Sequence, residues 1–165
     1  MNFLIREAKS TDVFAMHQMI VDLAIYEREP DAVLATPADL QAALFSSEKS
    51  GKSAPALYAH VAEVDGEVVG MAIWFLNYST WLGTHGIYLE DLYVKPEHRG
   101  TGVGKALLKQ LARVCIEKGY TRFQWWVLDW NEPAIEFYRS HGAIAMDEWV
   151  VYRLSGDALE SFAKD

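Results

Sequence analysis

Residues 88–108 read YLEDLYVKPEHRGTGVGKALL, and the organisation of the chain follows from them. Tyr88 to Val94 is apolar and aromatic apart from Glu90 and Asp91, the composition of a strand. Lys95 to Gly104 holds Pro96, Gly100, Gly102 and Gly104, the composition of a loop. From Val103 the apolar positions recur at Leu107, Leu108 and Leu111, the spacing of a helix. A glycine-rich turn leading a strand into a helix suits an anion. The first helical amides have no carbonyl partners, and the helix dipole makes that end positive. Glycines lack Cβ, so backbone N–H groups can close on phosphate oxygens. Arg99 and Lys105 add charge at the same place.

Two familiar phosphate loops do not match. A Walker A loop needs a glycine five positions before its Gly-Lys pair and a Ser or Thr after it. Here those positions hold Arg99 and Ala106. A dinucleotide fingerprint needs G-x-G-x-x-G, and Lys105 stands where its third glycine would fall. The remaining pattern, Arg-Gly-x-Gly-x-Gly between strand and helix, fits a pyrophosphate outside either fold. On the glycines alone, a tight turn without a ligand stays open.

Composition narrows the classes. A chain of 165 residues suffices for one domain with a substantial core. With 51% hydrophobic and 23% charged residues it is globular rather than disordered. A net charge of −8 argues against a nucleic-acid partner and is compatible with a cationic substrate. Cys115 is the only cysteine, so no internal disulfide forms. No apolar run reaches the length of a membrane span, and Asn2 to Arg6 opens a strand rather than a signal peptide. The expectation is a cytoplasmic protein with no membrane partner.

Along the chain, Phe3 to Ile5 reads as a first strand. Ser10-Thr11-Asp12 caps a helix carrying Val13, Met16, Ile20, Leu23 and Ala24. His17 within it reads as a satisfied or surface histidine, since no second ligand stands at metal spacing. Tyr26 to Asp31 is an acid-rich turn. It is either a solvated loop, or Tyr26 and Glu27 offer a ring and a carboxylate to an ammonium group. Thr36-Pro37 starts a second helix, and Ser46 to Pro55 reads as a loop without chemistry. Leu57–Val64 and Glu67–Phe75 are strands joined by Asp65-Gly66, a hairpin signal. Asn77 to Thr84 reads as a connection.

Cys115, four residues after Leu111, reads as a buried small hydrophobe. Phe123 to Leu128 reads as a strand holding Gln124, Trp125 and Trp126. Asn131 then caps a helix with Pro133 in its first turn, ending near His141-Gly142. Val150 to Leu154 reads as a late strand and Gly156 to Ala163 as a terminal helix. The whole predicts a single α/β domain over residues 1–165, with a central mixed, mostly antiparallel twisted sheet flanked by helices. Hairpins precede Gly86, and strand–helix–strand units follow it.

The glycine loop, with N-E-P-A-I-x-F-Y-x-x-x-G one strand later, resembles the GNAT superfamily of N-acetyltransferases over nearly the whole chain. Leu23-Ala24-x-Tyr26-Glu27, Trp81-x-Gly83, Tyr88-Leu89-Glu90-Asp91 and Trp130-Asn131-Glu132-Pro133 resemble its diamine (spermidine/spermine) acetyltransferase group. That resemblance implies an acetyl-CoA cosubstrate and no metal. The pyrophosphate would rest on the amides of Gly100, Thr101, Gly102, Val103, Gly104 and Lys105, with Arg99 alongside. The backbone of Leu92, Tyr93 and Val94 would run along the pantetheine arm like an added strand. Asn131, Glu132, Pro133, Ala134 and Tyr138 would meet the cofactor from its other side. The amine would lie near Tyr26, Glu27, Glu90, Gln124, Trp125 and Trp126. Where the group usually has an aspartate before Trp81, this chain has Ser79, so a lysine analogue with side-chain sulfur competes with a long polyamine. A homodimer is implied as well.

The chemistry stands on its own terms. An alkyl ammonium of pKa ~10 cannot attack until it loses a proton. Glu90, beside the expected pantetheine track, is the candidate base, directly or through water. The departing thiolate belongs to a thiol of pKa ~8.5, and a phenol of pKa ~10 can donate to it. Tyr138 is the candidate acid. Glu90 as a surface carboxylate and Tyr138 as a core residue are the alternatives. At the level of function, an N-acetyltransferase stands against an acyl-CoA-binding sensor without turnover.

Overall fold

The computed structural model describes residues 2–45 and 54–164. Most of the expected loop at Ser46 to Pro55 lies outside them. The chain divides into two compact units, one ending at Trp126 and one beginning at Val127.

The first unit is a five-stranded sheet in the order β1-β2-β3-β4-β5. It comprises β1 (Leu4–Glu7), β2 (Tyr58–Val64), β3 (Glu67–Ser79), β4 (Thr84–Val94) and β5 (Phe123–Gln124). The first four are antiparallel neighbours, and β5 joins β4 in parallel. Among the described residues three helices accompany them: α1 (Val13–Tyr26), α2 (Pro37–Phe45) and α3 (Val103–Lys118). The crossover from β4 through α3 to β5 is the strand–helix–strand unit expected after Gly86. The mixed α/β sheet is therefore as the sequence predicts.

Local chemistry explains the elements. Asp65 and Gly66 both take positive φ, 50° and 85°, as the two-residue turn between β2 and β3 requires. At the start of α2 a reciprocal cap forms. The Thr36 amide donates to Asp39 Oδ2 at 2.8 Å, and the Asp39 amide donates to Thr36 Oγ1 at 3.3 Å. The start of α1 is tied to the sheet by Arg6, which donates to Asp12 Oδ2 and Oδ1 at 2.7 and 3.0 Å and to Glu63 Oε2 at 2.8 Å. His17 bonds the Ala35 carbonyl oxygen at 2.7 Å, a satisfied histidine as expected.

Alternation along the strands gives the sheet two apolar faces. One packs against α1 and α2 through Met16, Met19, Leu40, Val61, Met71 and Ile73. The other packs against α3 through Ala72, Trp74, Ile87, Leu89, Leu107 and Leu111. Leu107 and Leu111 are fully buried, so truncating either to alanine costs about 2–5 kcal/mol. Cys115 belongs to this second face, where burial pushes its thiol up. It is the inert small hydrophobe expected of its position.

Several elements differ from the sequence reading, among them β4, which begins at Thr84 instead of Tyr88. β3 runs on to Ser79, so the connection to β4 shrinks to residues 80–83. There the Leu82 amide donates to Ser79 Oγ at 3.3 Å and the Gly83 amide to the Ser79 carbonyl at 2.8 Å. β5 stops at Gln124 instead of Leu128. Only Phe123 and Gln124 find partners, Ile87 and Tyr88, because β4 bulges just beyond them. The run Val150 to Leu154 forms no strand. Val150 is 74% and Tyr152 93% exposed, and a β-rich run without a partner ladder gains no stability as a strand.

The second unit holds α4 (Glu132–Ser140) and α5 (Gly156–Phe162).

Candidate active site

The candidate site grows from β4. Its register with β3 shifts between Ile73 and Trp74, which pair with Asp91 and Leu89, leaving Glu90 as the extra residue of a bulge. A bulge reverses the inside–outside alternation beyond it. Ile87 and Leu89 face the α3 side before it. Tyr93 faces the α1 side after it, while Leu92 and Val94 pack toward α3. Asp91 thereby comes to the α1 side instead of entering the α3-side core. On the edge opposite β3, only Ile87 and Tyr88 are paired. From Leu89 to Val94, no strand among the described residues lies along that edge, which leaves backbone groups for an extended ligand.

Beyond Val94 the chain passes through a short 3₁₀ turn at Pro96–His98 and reaches the glycines. Gly100 and Gly102 have φ of 73° and 93°, a region that L side chains rarely adopt. Gly102 is the N-cap of α3 and provides no side chain to cap it, so the first amides of a sixteen-residue helix are left for another acceptor. The mouth of α3 is also seated closely on the sheet. A Cβ on Gly70 would come within 3.1 Å of Val103 Cγ1 and 3.1 Å of the Tyr93 carbonyl oxygen. Gly70, which the sequence reading passed over, thus lets the helix start beside the end of β4. Lys105 is exposed in the first turn.

Arg99 reaches back from this loop. Its Nε donates to the Val94 carbonyl at 2.9 Å. Its guanidinium lies 5.3 Å from the centre of the Tyr26 ring and 5.4 Å from that of Tyr93. The expected cofactor residue and the expected amine residue Tyr26 are therefore neighbours. Tyr26 closes α1, and Arg28 turns the chain with φ of 67°. That turn places Glu27 where burial raises its carboxyl above the usual range.

The remaining amine-side residues divide between faces. Trp126 meets Tyr88 edge-on at 5.6 Å, and Gln124 pairs with Tyr88 in the sheet. Trp125 instead stacks at a tilt on Phe123, 4.9 Å away, and packs against the α3-side core. Glu90 is exposed at the bulge. Asp91, which the sequence reading left out of the site, has the most displaced carboxyl there, pushed up to about 7 by burial and then by the charges of Glu90 and Glu27. Among the described residues, no group of three or more His, Cys, Asp or Glu side chains is arranged to hold a metal ion.

In the second unit, Asn131 is the N-cap of α4, and its carbonyl accepts from the amides of Ala134 and Ile135 at 3.1 and 3.0 Å. Glu132 and Pro133 fill the first turn. Tyr138 lies in the last turn, against the ring of Phe137 at 5.6 Å. Its carbonyl accepts from the amides of His141 and Ala143 just past the end of the helix at Ser140, where Gly142 turns the chain with φ 85°.

The family model for the acetyltransferase (GNAT) family matches residues 20–143, which run from within α1 through the bulged strand, the glycine loop and α3 to the end of α4. The chain belongs to that family. A thialysine N-epsilon-acetyltransferase of Sus scrofa is 39% identical over 171 residues, covering 97% of this chain and 96% of the relative. An L-ornithine N5-acetyltransferase of Arabidopsis thaliana is 31% identical, covering 97% of this chain and 87% of the relative. Among solved structures, an integron cassette protein from the mobile metagenome of V. cholerae superposes with a TM-score of 0.80 at 27% identity, covering 100% of this chain and 99% of that one. The GNAT membership makes this chain an N-acetyltransferase, with acetyl-CoA as the cosubstrate the family implies. Uncapped amides at the α3 mouth, two positive-φ glycines and an unpaired β4 edge have the donor set that a pyrophosphate with an amide-bearing arm would need. No helix among the described residues is long and apolar enough to cross a membrane.

Proposed function

We propose that this N-acetyltransferase moves the acetyl group of acetyl-CoA directly to the primary amine of a small cation. The candidates are a thialysine-like lysine analogue, ornithine, or a diamine or polyamine. What carries the reading is the juxtaposition along β4: a main-chain anion cradle begins where the strand ends, and a cluster of carboxylates stands at its bulge. The amides of Gly100 to Lys105 would hold the pyrophosphate, with Arg99 and Lys105 adding charge. Leu92, Tyr93 and Val94 would guide the pantetheine arm, with Asn131, Glu132, Pro133, Ala134 and Tyr138 on its other side. Tyr26, Glu27, Glu90, Gln124 and Trp126 would receive the amine, its ammonium drawn by the carboxylates, while Trp125, expected there from the sequence, packs instead against the α3-side core.

In this scheme the ammonium gives up a proton to a carboxylate at the bulge, Glu90 being the candidate read from the sequence. The free amine attacks the thioester carbon, a backbone N–H of β4 steadies the oxyanion, and Tyr138 protonates the departing thiolate. No acyl-enzyme and no metal are needed, because holding both substrates in line supplies much of the acceleration. Ser79 supports the shorter amines. Its hydroxyl accepts from the Leu82 amide in the turn and brings no charge to a distal ammonium. The same reading takes residues 1–165 as one catalytic domain working as a cytoplasmic homodimer.

An amine panel at fixed acetyl-CoA, read by free thiol, tests the proposal. Thialysine-like amines, ornithine and short diamines should release CoA faster than spermine. Absence of release with every amine, despite cofactor binding, would sink it in favour of an acyl-CoA-binding module.

A further inference from the structure

The strand at the centre of the site carries two adjacent carboxylates, and the bulge treats them differently. Glu90 is the extra residue, without a register partner, and is exposed. Asp91 pairs with Ile73, a member of the α1-side core, and shares that side with Tyr93. Three further groups bear on this surface. Glu27, at the end of α1, and Glu90, on the strand itself, both act on Asp91 with negative charge. Tyr93 stays a neutral phenol, pushed up by burial and then by Asp22, with Arg99 and Glu97 acting in opposite senses.

Resting on the amine acetyltransfer proposed above, we propose that Asp91, rather than Glu90, takes the proton that the substrate ammonium must lose. Proton transfer from an ammonium of pKa ~10 to an ordinary carboxylate of pKa ~4 runs against an equilibrium of about a million to one. Against a carboxyl near 7 the odds fall to about a thousand to one. Burial works in the same direction, because a neutral amine beside a neutral acid is easier to keep from water than an ion pair. The approaching cation favours the ionised form of Asp91 and so prepares it to accept. Glu27 and Glu90 help by charge, attracting the ammonium while holding Asp91 basic.

The step balances. One N–H bond of the ammonium breaks, its electron pair stays on nitrogen, and its proton goes to Asp91. The lone pair forms the C–N bond at the thioester carbon. The C–S bond breaks and its pair leaves with sulfur. Nitrogen loses a second proton as the amide forms, sulfur takes one, and one proton is released overall.

The test is the pH profile of kcat/KM in the full-length enzyme and two variants. The wild type should lose activity below a limb near pH 7. Asp91→Asn should remove that limb and lower kcat by about a hundredfold or more. Glu90→Gln should keep the limb and move it to lower pH, because one opposing charge has gone. An Asp91→Asn enzyme with wild-type kcat and an intact limb overturns the proposal, as does loss of the limb in Glu90→Gln alone. A ¹³C NMR titration of the Asp91 carboxyl in the wild type reads the same point without substitution. A midpoint near 7 is expected, and one near 4 contradicts it. Failure of the wild type to acetylate any amine is a separate result, and it strikes the underlying reading instead.

Discussion

The glycine loop and the bulge are parts of one continuous stretch, β4 and its exit, and they present opposite charge by different means. The loop is a main-chain site. Its positive end comes from uncapped amides of α3, and its shape from Gly100 and Gly102 at positive φ. The bulge is a side-chain site. Its negative end comes from Glu27, Glu90 and Asp91, and its shape from one extra residue in the strand. A main-chain site is fixed by the helix that makes it. A side-chain site is tunable, because the charges of Glu90 and Glu27 change the ionisation of Asp91. A two-substrate enzyme has use for both: a constant grip on the cosubstrate, and a responsive one on the group that must change protonation.

Substitutions can break this contrast. The largest effect is expected outside both regions, at the proposed acid. Tyr138→Phe should lower kcat by about a hundredfold or more while leaving the acetyl-CoA Kd within a factor of two to three. An unchanged rate removes Tyr138 from that role. Gly102→Val comes next. A β-branched residue at φ 93° is strained, although a Cβ there meets nothing within 4 Å. Acetyl-CoA Kd should rise by about ten- to a hundredfold, given the 1–3 kcal/mol such strain costs, with the acid limb of the pH profile unmoved. Wild-type affinity would contradict the main-chain grip.

Arg99 sharpens the contrast, because it touches both regions. Arg99→Ala should raise the Kd of acetyl-CoA and the KM of the amine, each by about three- to tenfold, as loss of a charge and of a stacked guanidinium implies. Lysine should restore the first more than the second, since an ammonium cannot lie flat on Tyr26. If only the cofactor side responds, the contact at 5.3 Å does not couple the sites.

The smallest effect is on stability and has a definite sign. The folded-state pKa of Asp91 is raised to about 7, against about 4 when unfolded. Between those values the folded state binds more protons, so this group's contribution falls as pH rises from 4 to 7 and is lowest above 7. Asp91→Asn should therefore raise Tm by a few degrees at pH 8 and by much less at pH 4. Lower stability at pH 8 would mean that the carboxylate is well paired there.

The two regions also differed in how far the sequence disclosed them. Three glycines between a strand pattern and a helix pattern have a local meaning, an anion-binding turn, and the family resemblance supplies the residue-by-residue set. The bulge has no local signature. Its position depends on how β3 and β4 align, so the sequence shows no reason to single out Asp91 beside Glu90. Gly70 was overlooked for the same reason: what it makes room for is Val103, thirty-three positions away. Trp125 and Trp126 are equivalent in the run, but beyond the end of β5 one packs against the α3-side core and the other against Tyr88. Val150 to Leu154 had strand composition, and composition does not supply a partner.

The measurement that bears most directly on the account is a backbone amide NMR titration of the full-length protein with CoA. The amides of Gly100 to Lys105 should show the largest shifts, followed by Leu92 to Val94. Saturating shifts grouped elsewhere, with those amides unmoved, would contradict a diphosphate held at the mouth of α3.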